Sequence, residues 1–373
     1  MNARRIHEIS TKFDELRAAS IKVILENQDA SGAYIASPNF EVYNYSWFRD
    51  GAFIADALLN QGEVESARLF HEWVARVVLQ RSIKIELLIT RKLQGIEILP
   101  DEHLHCRYTA NGEEAAESWT NFQLDGFGIW IWALNAYQDA GQFVSKNQVA
   151  AVELLIPYLA NFWNEPSFDW WEESFGYQHV STLGSIAAGL KACSTWNSIS
   201  TETANTALKV SGEITQYILE FGLVDGRLTK WIGGDGLDAS LAALVAPFKI
   251  LAGSSEIANR TISAIEQQLG RLGTYRHKED VYFGGGRWII LSAFLGLAHV
   301  ELGHLEIAEE ILEWISTTVD ENFHLPEQLT SPLLYPQFQQ EWIDRWGIPA
   351  IPLLWSHAMF LKLLAVITNI DRI

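Results

Sequence analysis

Cysteine, positive charge and long apolar runs are all scarce in this chain of 373 residues, and each shortage excludes a class of protein. Two cysteines, Cys106 and Cys193, cannot build a disulfide framework or a four-cysteine zinc site. The 27 basic residues face 46 acidic ones, and a net charge of −19 disfavours nucleic acid and anionic membrane surfaces as partners. No apolar run has membrane-spanning length, and the first residues lack the apolar stretch of a signal peptide. We therefore expect a soluble, cytoplasmic protein.

Apolar residues make up 48% of the chain, which is enough for a large core and excludes disordered and fibrous classes. The 15 tryptophans are more than packing needs, and several stand beside charged residues in polar segments. An indole offers a flat apolar face and one hydrogen-bond donor, a combination that suits sugar rings. Most of these tryptophans are expected to fill the core, and the others indicate a carbohydrate ligand.

Apolar residues recur at helical spacing along most of the chain, and strand alternation is rare. About twelve helices are predicted: one from Ile6 to Leu25 and others near 50–60, 63–80, 121–140, 147–163, 181–194, 200–220, 237–250, 255–270, 287–303, 305–320 and 352–368. Short loops between them predict stacked αα-hairpins. Since no linker of low complexity divides the chain, we expect a single all-α domain over residues 1–373.

Longer aromatic and polar segments interrupt the helices after roughly every second one. They cover residues 31–49, 81–120, 164–180, 221–236, 271–287 and 321–351. In a closed ring of hairpins, alternate connections emerge on the same face. We therefore expect these six segments to converge on one rim, where loops on a rigid scaffold usually build a site.

Five of these segments combine tryptophan with acidic or basic residues, or fix a carboxylate behind proline. They contain Trp47-Phe48-Arg49-Asp50, Trp119 with Gln123-Leu124-Asp125-Gly126, Trp170-Trp171-Glu172-Glu173, Arg276 through Trp288, and Pro326-Glu327-Gln328. Helix capping would equally explain the aspartates of the first two. The glycines at 284–286 follow no strand and lack phosphate-loop spacing, so close backbone approach to a ligand is the better interpretation.

Glu172 and Glu173 follow two indoles directly, an odd composition for a surface turn. An apolar neighbourhood disfavours the ionised carboxylate, which would raise the pKa of one of them and keep it a proton donor near neutral pH. The alternative is a solvated acidic turn with a structural tryptophan.

A metal site is the other chemistry that the sequence brings to mind, in the segment His103-Leu104-His105-Cys106. Alternate residues of an extended segment share a face, but a fourth ligand and an HExxH helix are both missing. No serine-nucleophile motif is recognisable either. We therefore predict neither a metal nor a cofactor.

Taken together in this order, the five motifs and Pro352-Leu353-Leu354-Trp355-Ser356-His357-Ala358 resemble glycoside hydrolase family 15, the glucoamylase-type exo-glucosidases. The resemblance runs from about residue 31 to the end of the chain. It implies an (α/α)6 toroid of six helical hairpins, in agreement with the helix count. It also implies that Glu172 is the general acid and Glu327 the general base of an inverting hydrolysis, which needs roughly 6.5–9.5 Å between carboxyl groups.

The resemblance further implies which residues hold the sugar. Arg49 and Asp50 match the pair that grips the terminal glucose, which makes the action exo. The other implied substrate contacts are Trp47, Trp119, Trp171, Glu173, Arg276, Trp288 and Gln328. His277 stands where many relatives carry an aromatic residue, so the lining beside the second sugar differs here.

The resemblance favours short soluble α-gluco-oligosaccharides as substrates, because the chain shows neither the β-sandwich nor the starch-binding domain of larger relatives. Compact members, some of which act on isomaltose, resemble it best and favour α-1,6 linkages. The alternatives are another glucoside such as trehalose, or a non-catalytic toroid that binds carbohydrate or regulates a partner. Terpenoid and lanthionine toroids are disfavoured because their aspartate-rich and zinc-ligand patterns are missing. The sequence leaves the oligomeric state open.

Overall fold

The computed structural model describes residues 8–9, 11–115 and 117–369, and α-helices dominate its regular structure. Ile6, where the first helix is predicted to begin, lies outside the described residues. The helices are α1 (Asp14–Glu26), α2 (Phe48–Asn60), α3 (Val64–Leu79), α4 (Ser82–Leu93), α5 (Asp125–Asp139), α6 (Lys146–Phe162), α7 (Val180–Cys193), α8 (Thr201–Phe221), α9 (Glu256–Leu269), α10 (Ile289–Glu301), α11 (Leu305–Ser316), α12 (Gln339–Trp346) and α13 (Leu354–Thr368).

Six helical segments form an inner ring, in which each packs against the next and the last closes on the first. In ring order they are α2, α5, α7, the 3-10 helix Ala239–Leu244, α10 and α13. Helices α1, α3, α6, α8, α9 and α11 lie outside and pack on the ring or on each other. This is the (α/α)6 toroid, so the predicted fold class is confirmed.

Composition separates inner from outer helices. Every residue of α10 from Ile289 to His299 is buried, as expected for a helix surrounded on all sides. Outer helix α9 buries one stripe at helical spacing, made of Ala258, Thr261, Ile262, Ile265 and Leu269. Despite the apolar inner ring, no helix within the described ranges is long and apolar enough to cross a membrane.

Glycine lets two inner helices approach unusually closely. A Cβ at Gly128 of α5 would lie 2.5 Å from the carbonyl oxygen of Ser185 in α7. That distance is shorter than a van der Waals contact, so a side chain at this position would force the helices apart. The ring therefore depends on glycine here for its closure.

Three two-stranded antiparallel ladders fasten the segments that precede the helices. They pair β1 (Ser46–Trp47) with β2 (Arg107–Tyr108), β3 (Leu223–Val224) with β4 (Arg227–Leu228), and β5 (Thr274–Tyr275) with β6 (Arg287–Trp288). Trp47 lies opposite Arg107, and Trp288 lies opposite Thr274. These ladders fix the backbone immediately before α2 and α10, where two of the predicted motifs stand.

The structure corrects the predicted helix pattern in three places. The helix predicted over 237–250 is only the 3-10 helix Ala239–Leu244, and Pro247 just beyond it has no N–H to continue a helix. The predicted linkers 81–120 and 321–351 contain α4 and α12. Helix α4 buries only two residues, and α12 is only eight residues long and buries none, so both lie at the surface outside the ring.

Candidate active site

A cavity of about 550 Å³ opens at one end of the inner ring. Its wall comes mainly from segments that precede or begin inner helices α2, α5, α7, α10 and α13. The lining residues are Ala36, Tyr43, Trp47, Arg49, Asp50, Pro100, Asp101, Ser118, Trp119, Thr120, Asn121, Phe168, Trp170, Trp171, Glu172, Glu173, Arg276, Tyr282, Trp288, Glu327, Trp342, Trp346, Leu353 and Trp355. Five of the six predicted linkers thus converge on one rim. Within the described residues, linker 221–236 supplies no lining residue.

Linker 221–236 instead supports the cavity wall from behind. Lys230 Nζ lies 3.5 Å from Asp169 Oδ2 and 3.5 Å from Asp238 Oδ2, and all three side chains are buried. Asp238 Oδ2 also accepts a hydrogen bond of 2.9 Å from the indole of Trp171, which lines the cavity. A buried cation between two buried anions therefore connects this linker to the turn that carries Glu172.

Glu172 sits at an unusual backbone conformation. Its φ is 67°, in the left-handed region that a residue with a side chain adopts only at a cost. Asp169 holds the turn, because its Oδ1 accepts the backbone N–H groups of Trp171 at 3.0 Å and of Glu173 at 2.9 Å. The conformation turns one carboxylate of the adjacent pair toward Trp47 and the other toward Arg276.

One oxygen of Glu172 collects the polar contacts. Oε1 accepts hydrogen bonds from Trp47 Nε1 at 2.6 Å and Gln123 Nε2 at 3.2 Å, and lies 3.9 Å from Arg49 Nη2. The Cys106 thiol is 3.8 Å from the same atom. Burial raises the pKa of Glu172, while Arg49 and the two donors oppose the shift. The group is therefore biased toward the protonated form and held by one oxygen.

Glu327 is more deeply buried, with 2% of its surface exposed. Its Oε1 accepts a hydrogen bond of 2.7 Å from the hydroxyl of Tyr43, and Oε2 has no hydrogen-bond partner among the described residues. The hydroxyl of Tyr282 lies 2.9 Å from that of Tyr43. Since Tyr43 has one proton and donates it to Glu327, Tyr282 is the donor in this second bond. Burial raises the pKa of Glu327 to about 7, and the Tyr43 hydrogen bond opposes the shift.

A second charged cluster closes the bottom of the cavity. Arg49 Nη1 donates to Asp125 Oδ2 at 2.9 Å and to Gln123 Oε1 at 3.0 Å. Asp50 Oδ2 lies 3.5 Å from Arg49 Nε and, as far as the described chain shows, has no hydrogen-bond partner. Burial raises the pKa of Asp50 to about 7, with Arg49 opposing it. Asp50 thus presents an unpaired buried acceptor beside a fixed cation.

Arg276 anchors the opposite wall. It makes two hydrogen bonds to Asp280, the Nε bond being 2.8 Å long, and donates from Nη2 to Glu173 Oε1 at 3.0 Å. His277 Nε2 lies 3.6 Å from Glu173 Oε2. Burial acts to raise the pKa of Glu173, but Arg276 and His277 outweigh it and lower the pKa to about 2. Glu173 is therefore a permanent acceptor, in contrast to its neighbour Glu172.

Several polar atoms in the wall lack partners within the part of the chain that is described. They are Arg49 Nε, Asp50 Oδ2, Glu327 Oε2 and the indole nitrogens of Trp119, Trp170, Trp288 and Trp355. Unpaired buried donors and acceptors cost folding free energy unless a ligand or water satisfies them. Indole faces alternating with such atoms match a molecule with apolar C–H faces and hydroxyl edges.

Ten of the eleven predicted site residues line this one cavity, although Glu172 and Glu327 are separated by 154 intervening residues. Gln328 is the exception. It is buried, its Oε1 accepts the backbone N–H of Gly286 at 2.8 Å, and it is not among the lining residues of the described chain. Its Oε1 ties the glycine segment to the loop that carries Glu327, and its Nε2 has no partner among the described residues. A substrate contact by Gln328 stays a prediction.

Further lining residues that were not predicted from the sequence include Tyr43, Tyr282, Trp342, Trp346 and Trp355. Tyr282 and Trp355 lie inside the sequence motifs, and Tyr43 lies four residues before the first of them, so their position beside predicted residues was an available signal. Trp342 and Trp346 stand on α12, which was predicted as irregular linker.

The residues considered for a metal site face different partners. His103 stacks on Phe122 and hydrogen-bonds to Tyr158, His105 lies near Glu114, and Cys106 lies near Glu172. Across the described ranges, no three His, Cys, Asp or Glu side chains are grouped so that they could hold a metal ion.

Comparison with known proteins gives matches over nearly the whole chain. The sequence profile of "Glycosyl hydrolases family 15" matches residues 14–314. An isomaltose glucohydrolase of Kribbella flavida is 38% identical over 360 residues, which cover 96% of this chain and 93% of the relative. An uncharacterized glycosyl hydrolase of Methanocaldococcus jannaschii is 27% identical over 388 residues, which cover 94% of this chain and 56% of the relative.

Solved structures give the same result. A wild-type glycosidase and a variant of a glycosidase in complex with glucose are each 36% identical, with a TM-score of 0.93 and 99% of both chains covered. A bacterial glucoamylase in complex with acarbose, 17% identical, has a TM-score of 0.75 over 97% of this chain and 56% of that one. The latter likeness shows the common fold.

Proposed function

We propose that this chain, which belongs to glycosyl hydrolase family 15 and is a glycoside hydrolase that acts on α-glucosides, is an inverting exo-enzyme. In this proposal it releases β-glucose from the non-reducing ends of short α-gluco-oligosaccharides and prefers isomaltose-type α-1,6 linkages. The observation that carries the proposal is one cavity lined by two carboxyl groups, partly buried Glu172 and fully buried Glu327, in environments of different character.

We assign Glu172 as the general acid. Its Oε1 is occupied by the Trp47 and Gln123 hydrogen bonds, so Oε2 is the oxygen that would carry the transferable proton. Burial favours the protonated carboxyl, and the proton would pass to the glycosidic oxygen as the bond to the sugar C1 breaks. The leaving sugar would thus depart as a neutral alcohol.

We assign Glu327 as the general base. The Tyr43 hydrogen bond engages Oε1 and leaves Oε2 unpaired among the described residues, available to take a proton from water. That water would attack C1 from the face opposite the leaving oxygen and give the β-anomer. The product is glucose with inverted configuration, and no covalent sugar–enzyme bond forms.

Exo action follows, in this proposal, from the Arg49–Asp50 cluster. A buried arginine and an unpaired buried carboxylate would grip the 4- and 6-hydroxyls of the terminal glucose. The ring would lie against indole faces of the wall, and Arg276 with Glu173 would bind hydroxyls farther along the substrate. A preference for isomaltose is supported by the 38% identity to the Kribbella flavida isomaltose glucohydrolase.

The test is a product assay on isomaltose, maltose, trehalose and dextran, with the anomer of the first glucose followed by NMR. The proposal expects β-glucose, fastest from isomaltose. Release of α-glucose would contradict inversion. A preference for trehalose or maltose would contradict the linkage, and the absence of glucose from all four would support a non-catalytic binding protein. Glu173→Gln keeps both assigned catalytic carboxyls but alters a proposed substrate contact, so we expect it to raise KM, whereas Glu172→Gln should lower kcat.

A further inference from the structure

The loop that carries Glu327 is fixed to the protein through its backbone. Glu327 N–H donates to Ala350 O at 2.9 Å, and Ser356 Oγ donates to Pro326 O at 2.7 Å. The backbone N–H of Leu325, two residues before Glu327, donates to a side chain, His357 Nε2, at 3.0 Å. Each of the three loop residues is therefore tied to the stretch from 350 to 357.

His357 is completely buried and uses both ring nitrogens. Because Nε2 accepts the Leu325 N–H, it carries no hydrogen, and the ring proton must be on Nδ1. Nδ1 lies 2.9 Å from Oγ of Ser20, a buried residue of outer helix α1, so Nδ1–H donates to that hydroxyl. Burial lowers the pKa of His357 to about 3, which keeps the ring neutral and Nε2 an acceptor.

We propose that His357 is a positioning residue for Glu327, holding the loop of the base at Nε2 while Ser20 of α1 fixes the ring at Nδ1. The inference rests on the proposed role of Glu327. No group other than this ring satisfies the buried Leu325 N–H in the described chain. Losing that acceptor would let the loop shift, and small displacements of a catalytic group are costly in rate.

The ring geometry supplies a matched pair of variants. A glutamine amide oxygen is as many bonds from Cβ as Nε2 is, so His357→Gln can still accept from Leu325. The asparagine amide nitrogen is as many bonds from Cβ as Nδ1 is, so His357→Asn can still donate to Ser20 but cannot reach Leu325. We expect H357N to lower kcat on isomaltose at least tenfold with KM within twofold, and H357Q to stay within about threefold of wild type.

Two measurements separate positioning from simple packing. The first is amide hydrogen exchange of the 320–328 peptide, which we expect to accelerate in H357N and to stay near wild type in H357Q. The second is the same substitution pair at His71, a buried histidine of α3 whose Nδ1 has no partner in the described chain. H71N and H71Q are expected to lower thermal stability alike and to leave kcat unchanged.

Equal kcat in H357N and H357Q, or a loss of kcat matched by the His71 pair at equal loss of stability, would overturn the proposal. So would unchanged exchange of the 320–328 peptide in H357N. If wild type released no glucose from any α-glucoside, the proposed function would fail, and the exchange experiment would still decide whether His357 holds the loop.

Discussion

The turn that carries Glu172, the assigned acid, and the loop that carries Glu327, the assigned base, are held at the same cavity in different ways. Glu172 stands on a left-handed turn, and three side chains from two remote segments converge on its Oε1. Glu327 stands on a loop whose backbone is tied residue by residue, while its carboxylate receives one hydrogen bond, from Tyr43. The acid is thus adjusted through its side-chain neighbours, and the base through the placement of its backbone. Substitutions should separate the two.

Removing either carboxyl should have the largest effect. Glu172→Gln cannot give a proton and Glu327→Gln cannot accept one, so we expect each to lower kcat on isomaltose by about 10²–10⁴. Thermal unfolding followed by circular dichroism should stay close to wild type. Near-normal turnover in either variant would show that the catalytic role assigned to the substituted glutamate is wrong.

The pH profile should distinguish the two sides in the unmodified protein. Glu327 must be ionised to work, and its pKa is raised to about 7, so kcat/KM should fall about tenfold per unit as pH drops below that value. Glu172 must stay protonated to work, and burial raises its pKa, which extends activity toward alkaline pH. The check is kcat/KM for isomaltose across pH, with Glu327→Asp as the variant expected to move only the acid limb. An acid limb that stays fixed in this variant would contradict the assignment.

Tyr43→Phe should act on the base alone. It removes the donor that stabilises ionised Glu327, so the pKa of Glu327 rises and the acid limb moves to higher pH. We expect kcat near neutral pH to fall about fivefold to tenfold. Tyr45→Phe is the matched control, because the Tyr45 hydroxyl bonds the exposed Glu117. A shift of equal size in both variants would sink the interpretation.

Trp47→Phe should act on the acid alone and have the smallest effect. Losing the 2.6 Å donor to Glu172 leaves the ionised form less stable, so the pKa of Glu172 rises and the alkaline limb moves up. Turnover near neutral pH should change only a few-fold. Trp119→Phe, which alters the same cavity but removes an indole nitrogen with no partner in the described chain, should leave the alkaline limb in place.

The sequence allowed prediction of the inner ring of helices but not of the surface helices α4 and α12. Inner helices such as α10 are apolar throughout, and their presence follows from composition. Helix α4 was missed because apolar residues such as Ile83 (81% exposed) and Leu93 (74% exposed) face solvent and blur its stripe. The predicted single-domain organisation and cytoplasmic location stay predictions.

For the site, motifs predicted which residues stand together but not how they are bonded. That Tyr43 would donate to Glu327, 284 positions away, depends on closure of the ring and has no local signal. For Gln328, spacing alone does not tell whether a side chain next to a base faces the cavity or the protein, so its contact with substrate stays a prediction. The orientation of the Gln328 side chain is fixed by the hydrogen bond that its Oε1 accepts from the backbone N–H of Gly286, and this contact is seen only in the tertiary structure.

Helix α12 carries Trp342 and Trp346 to the cavity, yet none of its eight residues is buried. It contacts mainly the short helical turns at 282–284 and 336–338 and lies outside the inner ring. Substitutions in segment 321–351, which contains this helix, should therefore disturb the fold of the inner ring little. The same substitutions would change the shape of the cavity wall that a substrate contacts. Substitutions in this segment could therefore change which oligosaccharides the enzyme accepts while the toroid itself stays the same.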